Sequence, residues 1–401
     1  MRIAVLSDPN NFHTQKWVAA LVAVGAEVTV FSFEAYQGSK LNAVQLKPPF
    51  AYGGGYSYLS YLMGGKVLAL ALEEHGIDVV NALNVTPFGV WARKAGRHPL
   101  IISALGADIL EYPPVGEGSP LLELRSWDNV EASQTWARRF RQGLARKFYR
   151  KQVSLALAAA DLVTGDNQYL VDCMQNWFEV SDQNIRLLRW GVEKELFEVA
   201  PERLKALREQ FHLQPGKPVI FSPRGAKAIY QGDIIVEAFA RILAGGRQDF
   251  NCIMLSAGYE ISQKTAEKAR KLAQENPNFT FIEEVLPREN VYALWNLVDI
   301  FISAPIYDGY SAAVAEGRYV GAIPVLNDIP ANQELFDHDV NGWFCEPFTS
   351  EQLALDLQFL LKNLPERKEK YAVLNRFWIE KHSLVKENAE RFLTWVAEFS
   401  T

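Results

Sequence analysis

The sequence predicts an α/β protein with two doubly wound domains, each a parallel sheet covered by helices on both faces. Two observations lead to this prediction. Short, fully apolar segments such as Ile3–Leu6 are typical of strands buried on both faces, and they alternate with segments of helical periodicity. This alternation is interrupted at Trp190-Gly191-Val192-Glu193 and then starts again, which predicts a domain boundary there.

The first half begins with a strand at Ile3–Leu6 and a helix at 14–24, which Gly25 is expected to end. Its later helices are expected at 59–72, near Trp91, and at 131–152 and 168–177. Its later strands are expected at 28–31, 77–80, 100–103, 162–164 and 185–188. Ligands of open α/β sheets collect at the carboxyl ends of strands, so Asp108, in the loop after the strand at 100–103, is a site candidate. A helix cap is the other interpretation of Asp108.

The second half repeats the alternation. Strands are expected at 219–221, 252–255, 279–282, 300–302 and 323–326, with helices near 233–244, 261–275, 288–297, 311–320 and 350–363. The tail at 366–399 is expected to be helical and to end on an apolar stripe of Phe392, Trp395, Val396 and Phe399. We therefore expect an N-terminal domain at 1–190, a C-terminal domain at 191–375, and a segment at 376–401 that returns to the N-terminal domain.

Composition is that of an ordinary globular protein, with 49% hydrophobic and 22% charged residues in a chain of 401. The net charge of −6 argues against a global attraction to nucleic acid. The three cysteines are widely spaced and form no metal-type pair, which fits a reducing cytosol. No signal peptide and no apolar run of spanning length is evident, so we expect a cytoplasmic protein.

A basic segment at 136–151 combines arginines and lysines with Trp136, Phe140, Leu144 and Phe148 at a spacing of four. This spacing predicts one apolar stripe on a helix with a basic surround. One interpretation is peripheral docking at the inner face of an anionic membrane or on an acidic acceptor. The favoured interpretation is a solvated helix that packs through its aromatic stripe.

The stretch that organises the predicted function runs from Ser303 to Gly317. A strand leads into a loop that carries Asp308 and Gly309, and a helix is expected to begin near Ser311, a good N-cap residue. The free amides at a helix start attract anions such as phosphate, and Glu316 adds a second carboxylate deeper in the helix. The pattern fits a sugar nucleotide, although an ordinary strand–loop–helix unit with surface acids would look the same.

Arg224 and Lys227 follow the first strand of the second half. If this strand neighbours the one before Ser303, Arg224 faces the helix start and offers a forked donor for a diphosphate, with Lys227 as a point charge. Two surface cations in a loop are the alternative. The first loop, at 7–13, lacks a Gly-x-Gly-x-x-Gly motif and a P-loop lysine, which argues against NAD binding and ATP hydrolysis.

Taken together, these motifs resemble family 4 (group 1) retaining glycosyltransferases of the GT-B fold, in which two Rossmann-like domains face each other across a cleft. The resemblance covers nearly the whole chain and is more specific in the second half. It rests on the pair Asp308 and Glu316 with seven residues between them, on Gly321–Val325, Asn327–Glu334, Asn341-Gly342, the Arg224 loop with Gly232–Ala240, His13–Trp17, and Trp190-Gly191-Val192 to Phe197.

The resemblance implies a retaining transfer from a UDP- or GDP-sugar to a carbohydrate or lipid-linked acceptor, with no cofactor and no protein-bound metal. It implies that Glu316 holds the ribose hydroxyls and that Arg224 neutralises the leaving diphosphate. It places Asp308 and the amides of Gly309, Tyr310 and Ser311 at the donor sugar and phosphates, Val285 and Leu286 by the base, and Asp108 across the cleft near the donor sugar or acceptor hydroxyl. Asp337-His338-Asp339 is interpreted as a polar surface turn.

The sequence departs from the family pattern at three points. Tyr230-Gln231 stands where the family usually has a lysine, Asp308 replaces the commoner glutamate, and the acceptor-side loop at Gly106-Ala107 lacks the usual histidine. Two alternatives therefore accompany the glycosyltransferase hypothesis. One is a catalytically degenerate protein that acts as a sugar-nucleotide-binding or scaffold subunit, and the other is a sugar-nucleotide epimerase on the same fold.

Overall fold

The structure is a computed structural model that describes residues 1–47, 58–114, 136–224, 228–244, 249–256 and 262–399. Within these ranges the side chains of 58–62, 136–144 and 228 are not described. The chain divides into two units. One is formed by Met1–Trp190 together with Val385–Thr401, and the other by Gly191–Leu384.

The first unit alternates strands and helices along the chain. Its strands are β1 (Arg2–Leu6), β2 (Glu27–Ser32), β3 (Ala43–Gln45), β4 (Val79–Leu83), β5 (Leu100–Ser103), β6 (Leu162–Gly165) and β7 (Ile185–Leu187). Its helices are α1 (Phe12–Ala23), α2 (Tyr58–Glu74), α3 (Val90–Ala95), α4 (Ala107–Leu110), α5 (Trp136–Ala158) and α6 (Gln168–Phe178). Within the described residues the strands form one parallel sheet in the order β3-β2-β1-β4-β5-β6-β7.

The second unit repeats this architecture. Its strands are β8 (Val219–Ser222), β9 (Asn251–Leu255), β10 (Phe279–Ile282), β11 (Ile300–Ser303), β12 (Ile323–Leu326) and β13 (Trp343–Phe344). Its helices are α7 (Pro201–Gln210), α8 (Gly232–Ala244), α9 (Gln263–Glu275), α10 (Arg288–Trp295), α11 (Ala312–Tyr319), α12 (Pro330–Gln333), α13 (Ser350–Lys362) and α14 (Leu364–His382). The described strands form a parallel sheet in the order β10-β9-β8-β11-β12-β13.

Each face of the second sheet carries its own apolar core. Alternating residues of one strand divide between the two cores, so that Phe221 belongs to one and Ile220 to the other. This division explains why the strands are apolar at every position rather than at every second one. Two parallel-sheet α/β units therefore confirm the fold class expected from the sequence.

The last helix, α15 (Val385–Glu398), follows the second unit in sequence but packs in the first. Phe392 is fully buried and meets the ring of Trp17 edge to face, with the centroids 5.3 Å apart. The Nδ2 of Asn388 donates to the carbonyl oxygen of Arg189 at 2.6 Å. The chain thus returns to the N-terminal unit at Val385, whereas residues 376–384, which the sequence analysis assigns to the returning segment, belong to the second unit. The predicted single helical tail is interrupted at Ser383, whose carbonyl accepts from the amide of Val192 at 2.8 Å.

Some elements differ from the sequence-based expectation. Strands β3 and β13 have only three and two residues, too few to show a periodic pattern. Helix α7 is largely charged and begins at Pro201, where a proline suits the first helical position. The expected loop around Asp108 is instead the four-residue helix α4, which follows the turn of Gly106 at a φ of 114°.

Arg318, in α11, is a fully buried cation within the second unit. Its guanidinium carbon lies 4.6 Å from the ring centre of Phe336 and 4.2 Å from that of Trp378. Its Nε donates to the Oδ1 of Asn375 at 3.0 Å. Stacking between two aromatic rings offsets part of the cost of removing this charge from water. The arginine thereby ties α11 to α14.

Candidate functional site

The loop between β11 and α11 places Asp308 and Ser311 at the carboxyl end of the second sheet. Ser311 is the N-cap of α11, with an extended backbone and an Oγ that accepts from the amide of Val314 at 3.4 Å. The predicted helix start and its cap are confirmed. Because the first amides of a helix have no acceptor within the helix, this end of α11 carries a partial positive charge.

Arg224 lies at the same edge, since it follows β8 and β8 pairs with β11. Its Nη1 donates to the carboxylate of Asp308 and, at 2.9 Å, to the Oγ of Ser311. Its Nη2 donates to the hydroxyl of Tyr230 at 2.8 Å, and its guanidinium carbon lies 4.1 Å from the centre of that ring. Neighbouring strands thus bring Arg224 to the start of α11, as the sequence analysis expects.

The charge on Arg224 is secure. The side chains of Arg224 and Asp308 are only 23% and 17% exposed. Burial disfavours the charged guanidinium, but the Asp308 carboxylate and then Tyr230 outweigh burial and raise the pKa of Arg224 above its usual value. Arg224 is therefore positively charged and paired with Asp308, and an anion that enters this site meets this guanidinium.

A narrow pocket lies beside Arg224, with residues from both strand ends among its lining. The hydroxyl groups of Ser222 and Ser303 are buried in it and have no hydrogen-bond partner among the described residues. Ser222 ends β8 and Ser303 ends β11. Neither serine is predicted as a site residue from the sequence. The feature of the sequence that could have indicated them is a serine at the end of each of these two otherwise apolar strands.

Glu316 lies one turn beyond the cap and is 8% exposed. Its Oε2 accepts a hydrogen bond from the indole Nε1 of Trp295 at 2.8 Å. Tyr292 lies on the same helix as Trp295; burial and then the charge of Glu316 raise the pKa of the Tyr292 hydroxyl. Helix α10 therefore supplies the indole donor of Trp295 to this carboxylate and brings the hydroxyl of Tyr292 near it. Neither residue is predicted as part of the site from the sequence.

The other predicted residues of this site occupy different environments. The amide of Gly309 donates to the Oδ1 of Asp308 at 3.0 Å, and the hydroxyl of Tyr310 donates to the Oγ of Ser383 at 2.7 Å. Val285 is 76% exposed, whereas Leu286 is partly buried against the core that contains Trp295. Lys227 lies outside the described residues.

Asp108 belongs to the first unit and is buried in α4. Its Oδ2 accepts from the amide of Val85 at 2.7 Å and its Oδ1 from the amide of Leu105 at 3.1 Å. Burial raises the pKa of Asp108 from 3.8 to about 6, although these amides oppose the rise. Because the folded state binds this proton more tightly than the unfolded state, stability falls as the pH rises from 3.8 towards 6. The role of Asp108 towards a substrate stays a prediction.

The basic segment is helical, as expected, in α5. Arg150 uses both terminal nitrogens on backbone carbonyl oxygens, those of Tyr112 and, at 2.6 Å, Trp177. Arg146 donates to the carbonyl oxygen of Pro113 at 3.4 Å. These two cations therefore have a role in packing, and the membrane contact stays a prediction. Among the described residues, no helix is long and apolar enough to cross a bilayer.

Models of known protein families match segments in both halves of the chain. The model of group 1 glycosyl transferases matches residues 205–373, and the model of glycosyl transferase 4-like proteins matches residues 2–124. The chain belongs to the group 1 glycosyl transferases. The family predicted from the motifs around Asp308 and Glu316 is thereby confirmed. No protein with a curated description matches this group 1 glycosyl transferase in sequence.

Solved structures show the same GT-B fold over the whole transferase chain. A glycosyltransferase from Rickettsia africae and a sucrose-phosphate synthase from Thermosynechococcus elongatus each match with a TM-score of 0.72 and 14% identity, covering 99% of this chain and 98% of theirs. The Anabaena protein HepE, in complex with UDP and glucose, matches with a TM-score of 0.70 and 15% identity, covering 99% of this chain and 100% of its own. At this identity the likeness establishes the fold alone.

Proposed function

We propose that this transferase moves a sugar from a nucleotide diphosphate to an acceptor hydroxyl of a glycan, a lipid or a small molecule, with retention of the anomeric configuration. One observation carries the proposal. Arg224 and the start of α11 meet at the carboxyl ends of two neighbouring strands, with Glu316 one turn further along the same helix. Positive charge for a diphosphate and a carboxylate for sugar hydroxyls therefore lie on one continuous segment.

The chemistry requires help at the leaving group. The bond between the anomeric carbon and the phosphate oxygen breaks, and its electron pair leaves with the nucleoside diphosphate. The acceptor oxygen forms the new bond on the same face of the sugar, and its proton passes to the departing phosphate. Arg224 and the first amides of α11 stabilise the negative charge that develops on this phosphate; each preorganised donor contributes roughly 3 kcal/mol, by analogy with oxyanion-hole donors.

The remaining roles follow from the same arrangement. Glu316 accepts the hydroxyls of the nucleotide ribose, and Asp308 with the amides of Gly309 and Tyr310 faces the donor sugar and phosphates. The buried hydroxyls of Ser222 and Ser303 offer two further donors beside Arg224. The second domain thus binds the donor, and the first domain, which contains Asp108, binds the acceptor.

A uridine nucleotide is the first donor to test, since HepE has been solved with UDP, with UDP-glucose, and with UDP and glucose. A thermal-shift panel of UDP, GDP, ADP and their sugar conjugates identifies the base. A ligand present at 100 times its Kd stabilises the native state by about 2.7 kcal/mol. Transfer is then measured against an acceptor panel, and NMR of the product reports the anomeric configuration.

Arg224→Ala is expected to weaken nucleotide binding and so to reduce the thermal shift caused by the matching nucleotide. The matched control is Arg270→Ala, which removes an exposed arginine that pairs with Glu283 in the same unit. Unchanged nucleotide affinity in Arg224→Ala would remove the proposed role of this site. Nucleotide binding without transfer to any acceptor would instead support the scaffold alternative, and conversion of the donor without an acceptor would support the epimerase.

A further inference from the structure

A fully buried tryptophan contacts the carboxylate that we assign to the ribose. Trp295 has no exposed surface, and its Nε1 donates to the Oε2 of Glu316 at 2.8 Å. An indole N–H can only donate a hydrogen bond, so Trp295 is the donor and the Glu316 carboxylate is the acceptor. A hydrogen bond to a charged acceptor is stronger than one between neutral groups. This contact therefore restricts the orientation of the Glu316 carboxylate.

The indole ring is itself held by the two strands that carry the site. It meets Phe221 of β8 at a centroid distance of 4.9 Å and an interplanar angle of 81°. It meets Phe301 of β11 at 5.4 Å and 88°. Both are edge-to-face arrangements, which aromatic pairs prefer. Because β8 leads to Arg224 and β11 leads to Asp308, one aromatic cluster fixes the indole relative to the phosphate side of the site.

The environment of Glu316 makes this contact favourable. A carboxylate that is 8% exposed has lost most of its water, and a buried charge needs donors in exchange. Arg224 is committed to Asp308, Ser311 and Tyr230. Helix α10 supplies a donor to Glu316 in the N–H of Trp295.

We propose that Trp295 is a positioning residue for recognition of the nucleotide ribose. Its N–H holds one oxygen of Glu316, and the carboxylate so oriented accepts the ribose hydroxyls. Trp295 does not contact the nucleotide; it acts through Glu316. This inference rests on the proposed function and extends it from the residue that contacts the ribose to the residue that aligns it.

The test compares UDP with UDP analogues that lack the 2′- or the 3′-hydroxyl, by titration calorimetry. Trp295→Phe keeps an aromatic ring in the cluster, removes the N–H donor and makes the buried side chain smaller. Loss of one charge-assisted hydrogen bond is expected to weaken UDP binding by about tenfold. Binding of at least one deoxy analogue should change much less, because the contact that Trp295 aligns is already missing. If the thermal-shift panel selects GDP or ADP, the same series is built on that base.

A second variant separates alignment from packing. Phe301→Leu perturbs the same aromatic cluster and leaves the indole N–H in place. It is expected to lower the unfolding midpoint while the ratio of UDP affinity to deoxy-UDP affinity stays at the wild-type value. Trp295→Phe is expected to lower this ratio whatever its effect on stability. The ratio therefore reports on alignment even if both variants are less stable.

Three outcomes would overturn the inference. An unchanged ratio in Trp295→Phe, with normal discrimination by the wild type, would remove the role of Trp295 and leave the proposed function intact. Equal binding of UDP and both deoxy analogues by the wild type would remove the ribose contact of Glu316 and the inference with it. Absence of binding to UDP, GDP and ADP would refute the proposed function itself.

Discussion

Replacement of Arg224 by alanine should destabilise the second unit as well as weaken ligand binding, because it leaves Asp308 without its cation. Removing one partner of a buried ion pair costs about 3–5 kcal/mol. Both side chains here keep some contact with water, at 23% and 17% exposure, so we expect about 2–3 kcal/mol. For a unit of this size that corresponds to a fall of about 5–10 °C in the unfolding midpoint.

A double variant separates the effect of losing the Arg224 cation from the effect of leaving the Asp308 carboxylate without its partner. Arg224→Ala combined with Asp308→Asn removes both charges and leaves neutral groups, whose lost hydrogen bonds cost about 1–2 kcal/mol. The double variant should therefore be more stable than Arg224→Ala alone, although both should bind the nucleotide more weakly than the wild type does. This pattern would show that stability depends on the balance of charge, whereas affinity depends on the arginine.

The assay is chemical unfolding of the wild type, both single variants and the double variant, followed by nucleotide titration of each. Arg270→Ala again serves as the control, since an exposed ion pair of this kind contributes little to stability. An Arg224→Ala variant as stable as the wild type would refute this prediction. A double variant no more stable than Arg224→Ala would also refute it, because the unpaired Asp308 carboxylate would then carry no cost.

Three further predictions concern other parts of the chain. Tyr230→Phe keeps the ring against Arg224 and loses the O–H contact, so we expect a loss of about threefold in nucleotide affinity by calorimetry; an unchanged affinity would contradict it. The wild type should lose stability between pH 4 and pH 6.5 as Asp108 gives up its proton, whereas Asp108→Asn has no such group. In urea unfolding, the stability of Asp108→Asn relative to the wild type should therefore rise by up to about 3 kcal/mol over this range. A difference that stays constant with pH would refute this prediction. Arg318→Ala should cost about 3–5 kcal/mol in the same assay, because it leaves a cavity between two aromatic rings and removes the donor to the Oδ1 of Asn375. Arg318→Met should cost less, and equal losses would contradict the packing argument.

The fold could be predicted from the sequence because its signals are local. Segments such as Ile3–Leu6 and Ile300–Ser303 are apolar at every position, which only a strand covered on both faces explains. Ser311 before a helical segment marks the start of α11 within one residue. The contact between Arg224 and Ser311 needed one further inference, that the strands before them are neighbours.

The contacts that complete the site could not be predicted in this way. Trp295 and Glu316 lie on different helices, and the direction of the indole depends on rings contributed by two strands. The sequence predicts a loop around Asp108 because a four-residue helix has no periodicity to detect. Its bond to the amide of Val85 joins the ends of two strands, and no spacing along the chain indicates it.

The position of α15 has a consequence for how the protein is made. A ribosome releases α1 early, yet the helix that covers Trp17 follows only after residues 191–384 have been synthesised. The apolar surface around Trp17 in the nascent N-terminal unit therefore stays exposed until α15 has been made. The second unit is contiguous in sequence and can fold without this delay. Translation that stops before Val385 would leave this surface uncovered, and such products are natural targets for chaperones and proteases.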